Sequence, residues 1–177
     1  MIEITRGTAA LDALAARGGP VLKAVEKTVK EIIENVRQKG DAALFEYTKK
    51  FDGADLSALE IKTFKDAPKA LEPAYLSALA RAAANITAFH EKQRREGYEL
   101  LKNGATTGRI MRPLERVGVY VPGGSAAYPS SVLMNVIPAK IAGVKEIIMM
   151  TPPKKDGTAD QRILAAAALS GVDRVFL

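Results

Sequence analysis

Few residues in this chain can hold a metal, move a proton or act as a nucleophile. Cys is absent, which excludes disulfides, thiolate-bound zinc and thiol catalysis. His90 is the only histidine, and a single imidazole cannot build a zinc site that takes several ligands, or serve as both ligand and base. In Phe89-His90-Glu91 it falls near the end of an amphipathic stretch, where a structural hydrogen bond is the simpler role. Asp41, Asp52 and Asp160 stand at expected helix starts or turns, and capping accounts for them.

Ligand-gripping groups concentrate in one place. Arg116-Val117-Gly118-Val119-Tyr120-Val121 reads as a buried strand and delivers Pro122-Gly123-Gly124 to the carboxyl edge of a sheet, where open α/β sheets bind ligands. Glycines there allow backbone amides to approach a ligand. Ser130 or Ser131 can cap the next helix, whose N-terminal amides favour an anion such as a pyrophosphate. Tyr120 and Tyr128 bracket the loop and could stack on a nucleotide ring or bond to a ribose. Neither GxGxxG nor GxxxxGK[ST] is present, so a Gly-rich turn with no ligand is the competing reading.

The elements that position this loop follow from apolar periodicity. Val21, Val25, Val29, Ile32, Ile33 and Val36 mark a helix closed by Gly40, and Asp41 caps a second helix ending near Phe51-Asp52-Gly53. Leu59 to Phe64 alternates as a strand. Pro68 and the stripe from Leu71 to Phe89 predict a long helix over 69–95, ended by Gly97. Tyr98 to Met111 reads as a hairpin or a pair of short strands. After Pro113 come the strand to Val121, a helix over 130–142 with Pro138 as a kink and Gly143 as its C-cap, a strand over 145–150, a helix over 160–170 and a strand from Arg174. This β-α-β-α-β alternation predicts an α/β fold: an N-terminal helical region, then an incomplete Rossmann-like unit with a parallel sheet. The expected divisions are an arm over 1–19, a helix-rich α/β region over 20–112 and a nucleotide-binding domain over 113–177. The last strand is expected to be unpaired and uncovered, which suggests a portion of a longer protein.

Composition narrows the class. With 47% apolar and 26% charged residues the chain is that of an ordinary globular protein. The net charge of +6 is spread through mixed-charge helices, with one local cluster from Lys92 to Arg95, and no Trp interleaves with it, so nucleic acid is not the expected partner. No run approaches a membrane span and the N-terminus lacks a signal-peptide core, which makes a cytoplasmic protein the expectation.

The full string RVGVYVPGG, then YPSSVLMNVIPAKIAGVKEI and a Thr-Pro-Pro exit, resembles histidinol dehydrogenase. Upstream, GDAALFEYTKKFDG and NITAFHEKQ resemble the same family's N-terminal region. The resemblance implies a homodimeric, zinc- and NAD-dependent oxidoreductase that converts L-histidinol through the aldehyde to L-histidine. It implies that Tyr120 contacts NAD, with Pro122, Gly123 and Gly124 lining the same site. The family's zinc ligands (a glutamine, an aspartate and two histidines) and its Glu-His acid/base pair lie downstream of the matched region. The chain is then the NAD-side portion, without catalytic or metal residues of its own. A non-catalytic nucleotide-binding or interaction module is the alternative.

Overall fold

A computed structural model describes residues 19–123 and 126–177, with side chains from residue 25. The arm over 1–19 therefore falls almost wholly outside the described residues, as does Gly124. Contacts group the chain into two compact units, Met1–Glu46 and Tyr47–Leu177. In the first, helix α1 (Gly19–Lys39) is closed by Gly40, whose N–H donates to the Val36 carbonyl (2.9 Å). Its Val25, Val29 and Ile33 are exposed. Helix α2 (Asp41–Asp52) begins one residue later.

The second unit is built on a four-stranded sheet. Strands β4 (Arg116–Tyr120), β5 (Glu146–Met150) and β6 (Arg174–Phe176) are parallel, and β1 (Glu60–Ile61) runs antiparallel beside β6, giving the order β1-β6-β5-β4. Helix α4 (Pro129–Ile141) connects β4 to β5, and α5 (Gln161–Ser170) connects β5 to β6. The parallel β-α-β-α-β unit is thus present. Strand β6 is not the unpaired edge expected from sequence, because Glu60 pairs with Phe176 and Ile61 with Val175. A two-residue strand from far upstream carries too little alternation to predict that pairing.

Side chains of a strand alternate between faces, and here the two faces differ. Ile147, Met149 and Val175 point into a core with Val132, Leu133 and Val136 of α4 and Ile163 and Leu164 of α5. Helix α3 (Pro73–Glu91) adds Leu79 and Ala83 to that core, so the expected change of architecture near residue 112 is a change of element type within one packed unit. Arg116, Gly118 and Tyr120 of β4 and Met150 of β5 occupy the other face and are exposed.

The long helix expected over 69–95 is shorter. Ala67–Ala70, with Pro68, is a 3-10 turn, and α3 starts only at Pro73. A residue before proline is pushed out of the helical region, and Glu72 is extended (φ −55°, ψ 135°), so no helix can run through it. At the other end the chain unwinds in three-residue turns, with Lys92, Gln93 and Arg94 donating to Phe89, His90 and Glu91. Gly97 leads into the hairpin of β2 (Tyr98–Lys102) and β3 (Ala105–Arg109), close to the Arg109 carbonyl, rather than capping a helix. That hairpin turns at Asn103-Gly104, both at positive φ (53° and 76°), the backbone a two-residue I′ turn requires.

Candidate functional site

The carboxyl ends of β4, β5 and β6 lie side by side. The Val121 N–H donates to the Met150 carbonyl (2.8 Å) and the Thr151 N–H to the Phe176 carbonyl (3.1 Å), which carries the ladder past each strand end. Val121 and Thr151 are buried, whereas Tyr120 is 63% exposed and Pro122 is exposed. The loop therefore hangs from a fixed root. Gly123 is held close to the Pro152 ring: a Cβ built on it would lie 2.9 Å from Pro152 Cγ. A glycine here is demanded by the neighbouring loop, and that reason is independent of any ligand.

Helix α4 starts at Pro129, a residue suited to the first helical position because it has no N–H to leave unpaired. Its N-cap is Tyr128, with no side-chain capping bond. Ser130 and Ser131, the expected caps, lie inside the first turn, since Pro129 moves the start of the helix one residue earlier. Tyr128 is 44% exposed. Of the residues singled out from sequence, Tyr120, Pro122 and Gly123 thus share the sheet's carboxyl edge with Tyr128.

A small cavity of about 100 Å³ opens at this edge between Gly123, Ala127, Pro152, Lys154, Asp160 and Arg162. Asp160 caps α5, accepting from the Arg162 N–H (2.8 Å), and its carboxylate also meets the Arg162 guanidinium at 3.0 and 2.8 Å. That guanidinium hydrogen bond holds the Asp160 carboxyl below the usual carboxylate range. The capping role expected for Asp160 is observed. Lys154 and Arg162 went unnoticed in the sequence, although the signal was there: the KKDGTADQR linker leaves β5 at the same sheet edge as the Pro-Gly-Gly loop. His90 Nδ1 donates to Gln93 Oε1 (2.7 Å), a structural bond as expected. Among the described residues no group of three His, Asp or Glu side chains is arranged to hold a metal ion, and no helix is long and apolar enough to cross a membrane.

The family model for histidinol dehydrogenase matches residues 16–177. The chain belongs to the histidinol dehydrogenase family. It is 54% identical over 155 residues to a histidinol dehydrogenase of Listeria innocua, covering 86% of this chain and 36% of that protein. It is 49% identical over 166 residues to one of Clostridium acetobutylicum, covering 92% of this chain and 38% of that protein. The crystal structure of histidinol dehydrogenase from Elizabethkingia anophelis superposes with a TM-score of 0.81 at 30% identity, over 99% of this chain and 37% of the other. The chain therefore spans little more than a third of the length of these family members, in their N-terminal part. Family membership agrees with the mixed α/β architecture.

Proposed function

We propose that this chain supplies the NAD-binding side of a histidinol dehydrogenase that oxidises L-histidinol through L-histidinal to L-histidine. One observation carries the reading. An exposed tyrosine, Tyr120, ends the parallel edge strand β4 beside a glycine loop clamped on Pro152, within the segment the family model matches. Bound NAD would supply the hydride acceptor.

The chain's own residues bind and orient. The Tyr120 ring offers a flat apolar face and a hydroxyl to a nucleotide. Pro122 and Gly123 fix the height of the loop above the sheet edge, and Gly124 is proposed to line the same site. In the first turn of α4, which has no side-chain cap, Pro129 has no N–H and the Ser131 N–H donates to the Tyr128 carbonyl (3.0 Å), so the Ser130 N–H is the amide that would meet an anion such as a pyrophosphate. Zinc does not fit the donors described here, and no step through zinc is assigned to these residues. The same reading carries the family's homodimer, a cytoplasmic location, and a chain inactive on L-histidinol by itself.

Equilibrium titration with NAD tests the site. The unaltered chain should bind saturably, and Tyr120→Ala should weaken binding about three- to tenfold, the value of one aromatic contact, with the fold intact by circular dichroism. Unchanged affinity in that variant would place the nucleotide elsewhere. Mixing the chain with NAD, zinc and L-histidinol should give no rise in reduced-nicotinamide absorbance. Turnover would move the chemistry into these 177 residues.

A further inference from the structure

At the opposite edge of the sheet, where the chain enters β4 and β5, lies a cavity of about 620 Å³. That volume is in the range of small-molecule sites. Its apolar lining comes from Leu114, Pro138, Ile141 and Val144. Its rim carries Arg94, Arg95 and Arg112, with His90 alongside, and no carboxylate lines it. Glu91, Glu96 and Glu115 flank these segments in sequence without lining the cavity.

The three rim arginines stand apart from most others in the described residues. Arg37, Arg116, Arg162 and Arg174 are each ion-paired, and Arg109 donates to the Glu96 carbonyl. Arg94, Arg95 and Arg112 have no ion pair among the described residues, a condition they share with Arg81 and Arg109. Helix dipoles do not account for them. The C-termini of α3 and α4 both reach this cavity, but each contributes only roughly half a negative charge, which three guanidiniums outweigh. The wall is also preset: Pro113 packs against the turn between α4 and β5, 3.4 Å from where a Gly143 Cβ would lie.

We infer that this cavity is a second ligand site, taking a small molecule that joins a phosphate to an apolar ring. The ring lies on Leu114, Ile141 and Val144, and the phosphate meets the planar, multi-donor guanidiniums of Arg94, Arg95 and Arg112. The site is separate from the Tyr120 loop and does not depend on the NAD reading.

Calorimetric titration with phenyl phosphate tests it, with inorganic phosphate and phenol as half-ligands. Phenyl phosphate should bind saturably at one site, about tenfold or more tighter than either half-ligand. Arg94→Gln/Arg112→Gln, which alters only exposed side chains, should weaken it by at least another factor of about ten, while Tyr120→Ala leaves it unchanged. Absent or unsaturable binding, equal affinity for inorganic phosphate, equal affinity in the double variant, or loss on Tyr120→Ala would each overturn the assignment.

Discussion

Replacing Gly123 by Ala sets two effects of opposite sign against each other. Gly123 is not among the residues at positive φ, so an alanine adopts its backbone without strain and gains about 0.4–1 kcal/mol by restricting the unfolded chain. Against this, its Cβ would lie 2.9 Å from Pro152 Cγ and 3.4 Å from both Pro152 Cδ and the Pro152 carbonyl oxygen. A closed pyrrolidine ring cannot rotate away as a flexible side chain would, so the loop or Pro152 must give by about half an ångström, at a cost of about 1–3 kcal/mol for overpacking. The clash wins by about 1.3 kcal/mol at the midpoints of these ranges, a fall in Tm of roughly 3–5 °C for a chain of this size. Displacement of the same loop carries Tyr120 and Pro122 with it, so NAD affinity should fall in the same variant. Thermal unfolding by circular dichroism and NAD titration read the two effects separately. A Tm equal to or above the parent's, with unaltered affinity, would refute the idea that Pro152 sets the position of the loop.

Two further substitutions probe the sheet, Asp173 at its amino edge and Thr151 at the root of the site. Asp173 accepts from the Ile147 N–H (2.8 Å) and pairs with Lys140 (2.9 Å); the pair is partly exposed and worth little, but stranding the N–H makes Asp173→Ala cost about 2 kcal/mol in urea denaturation. Burial pushes the Asp173 carboxyl up, yet the Ile147 N–H and Lys140 more than offset this and leave it below the usual range. The stabilisation should therefore be full above the ordinary carboxylate pKa and shrink as pH falls through the lowered folded value; a gap between parent and variant that widens in acid would contradict this. Thr151 is 2% exposed and its hydroxyl has no hydrogen-bond partner, so Thr151→Val should raise stability by about 1 kcal/mol, and a lowered denaturation midpoint would show that the hydroxyl is satisfied.

Where periodicity and local chemistry agree, the fold was legible in the residues. The α4, β5, α5 succession is bounded by Gly143, Asp160 and Gly171, and each of these acts within a few residues of itself. The failures were non-local or turned on a single ring. Leu59 to Phe64 alternates like a strand of six, yet only Glu60–Ile61 pairs as a strand, with Leu59 adding a carbonyl that accepts from the Leu177 N–H (2.8 Å). Pro73 falls inside the helix expected over 69–95 and defines its actual start. At the candidate site Tyr120 and Pro122 could be placed on the carboxyl edge from the strand pattern alone. The approach of Pro152 to Gly123, across an intervening helix and strand, leaves no mark in either segment by itself.

The two faces of the sheet suggest how the chain divides its work. On the helix side Ile147, Met149 and Val175 are fully buried, so strand positions are fixed by close packing that resists shifts of a methyl group. On the other side Tyr120, Met150 and Phe176 form a row across three strands, with Arg174 stacked 4.8 Å over Phe176 and bonded to Glu60 at 2.7 and 3.0 Å. Gly118 belongs to that face too, and its missing side chain leaves room for Met150, whose Cε lies 3.2 Å from where a Cβ would stand. Met150 thus lies over β4 next to Tyr120. An aromatic ring set on a rigid strand end and flanked by a methionine loses little freedom on meeting a flat ligand. That preorganisation favours placing nucleotide recognition at Tyr120 rather than in the softer turns around it.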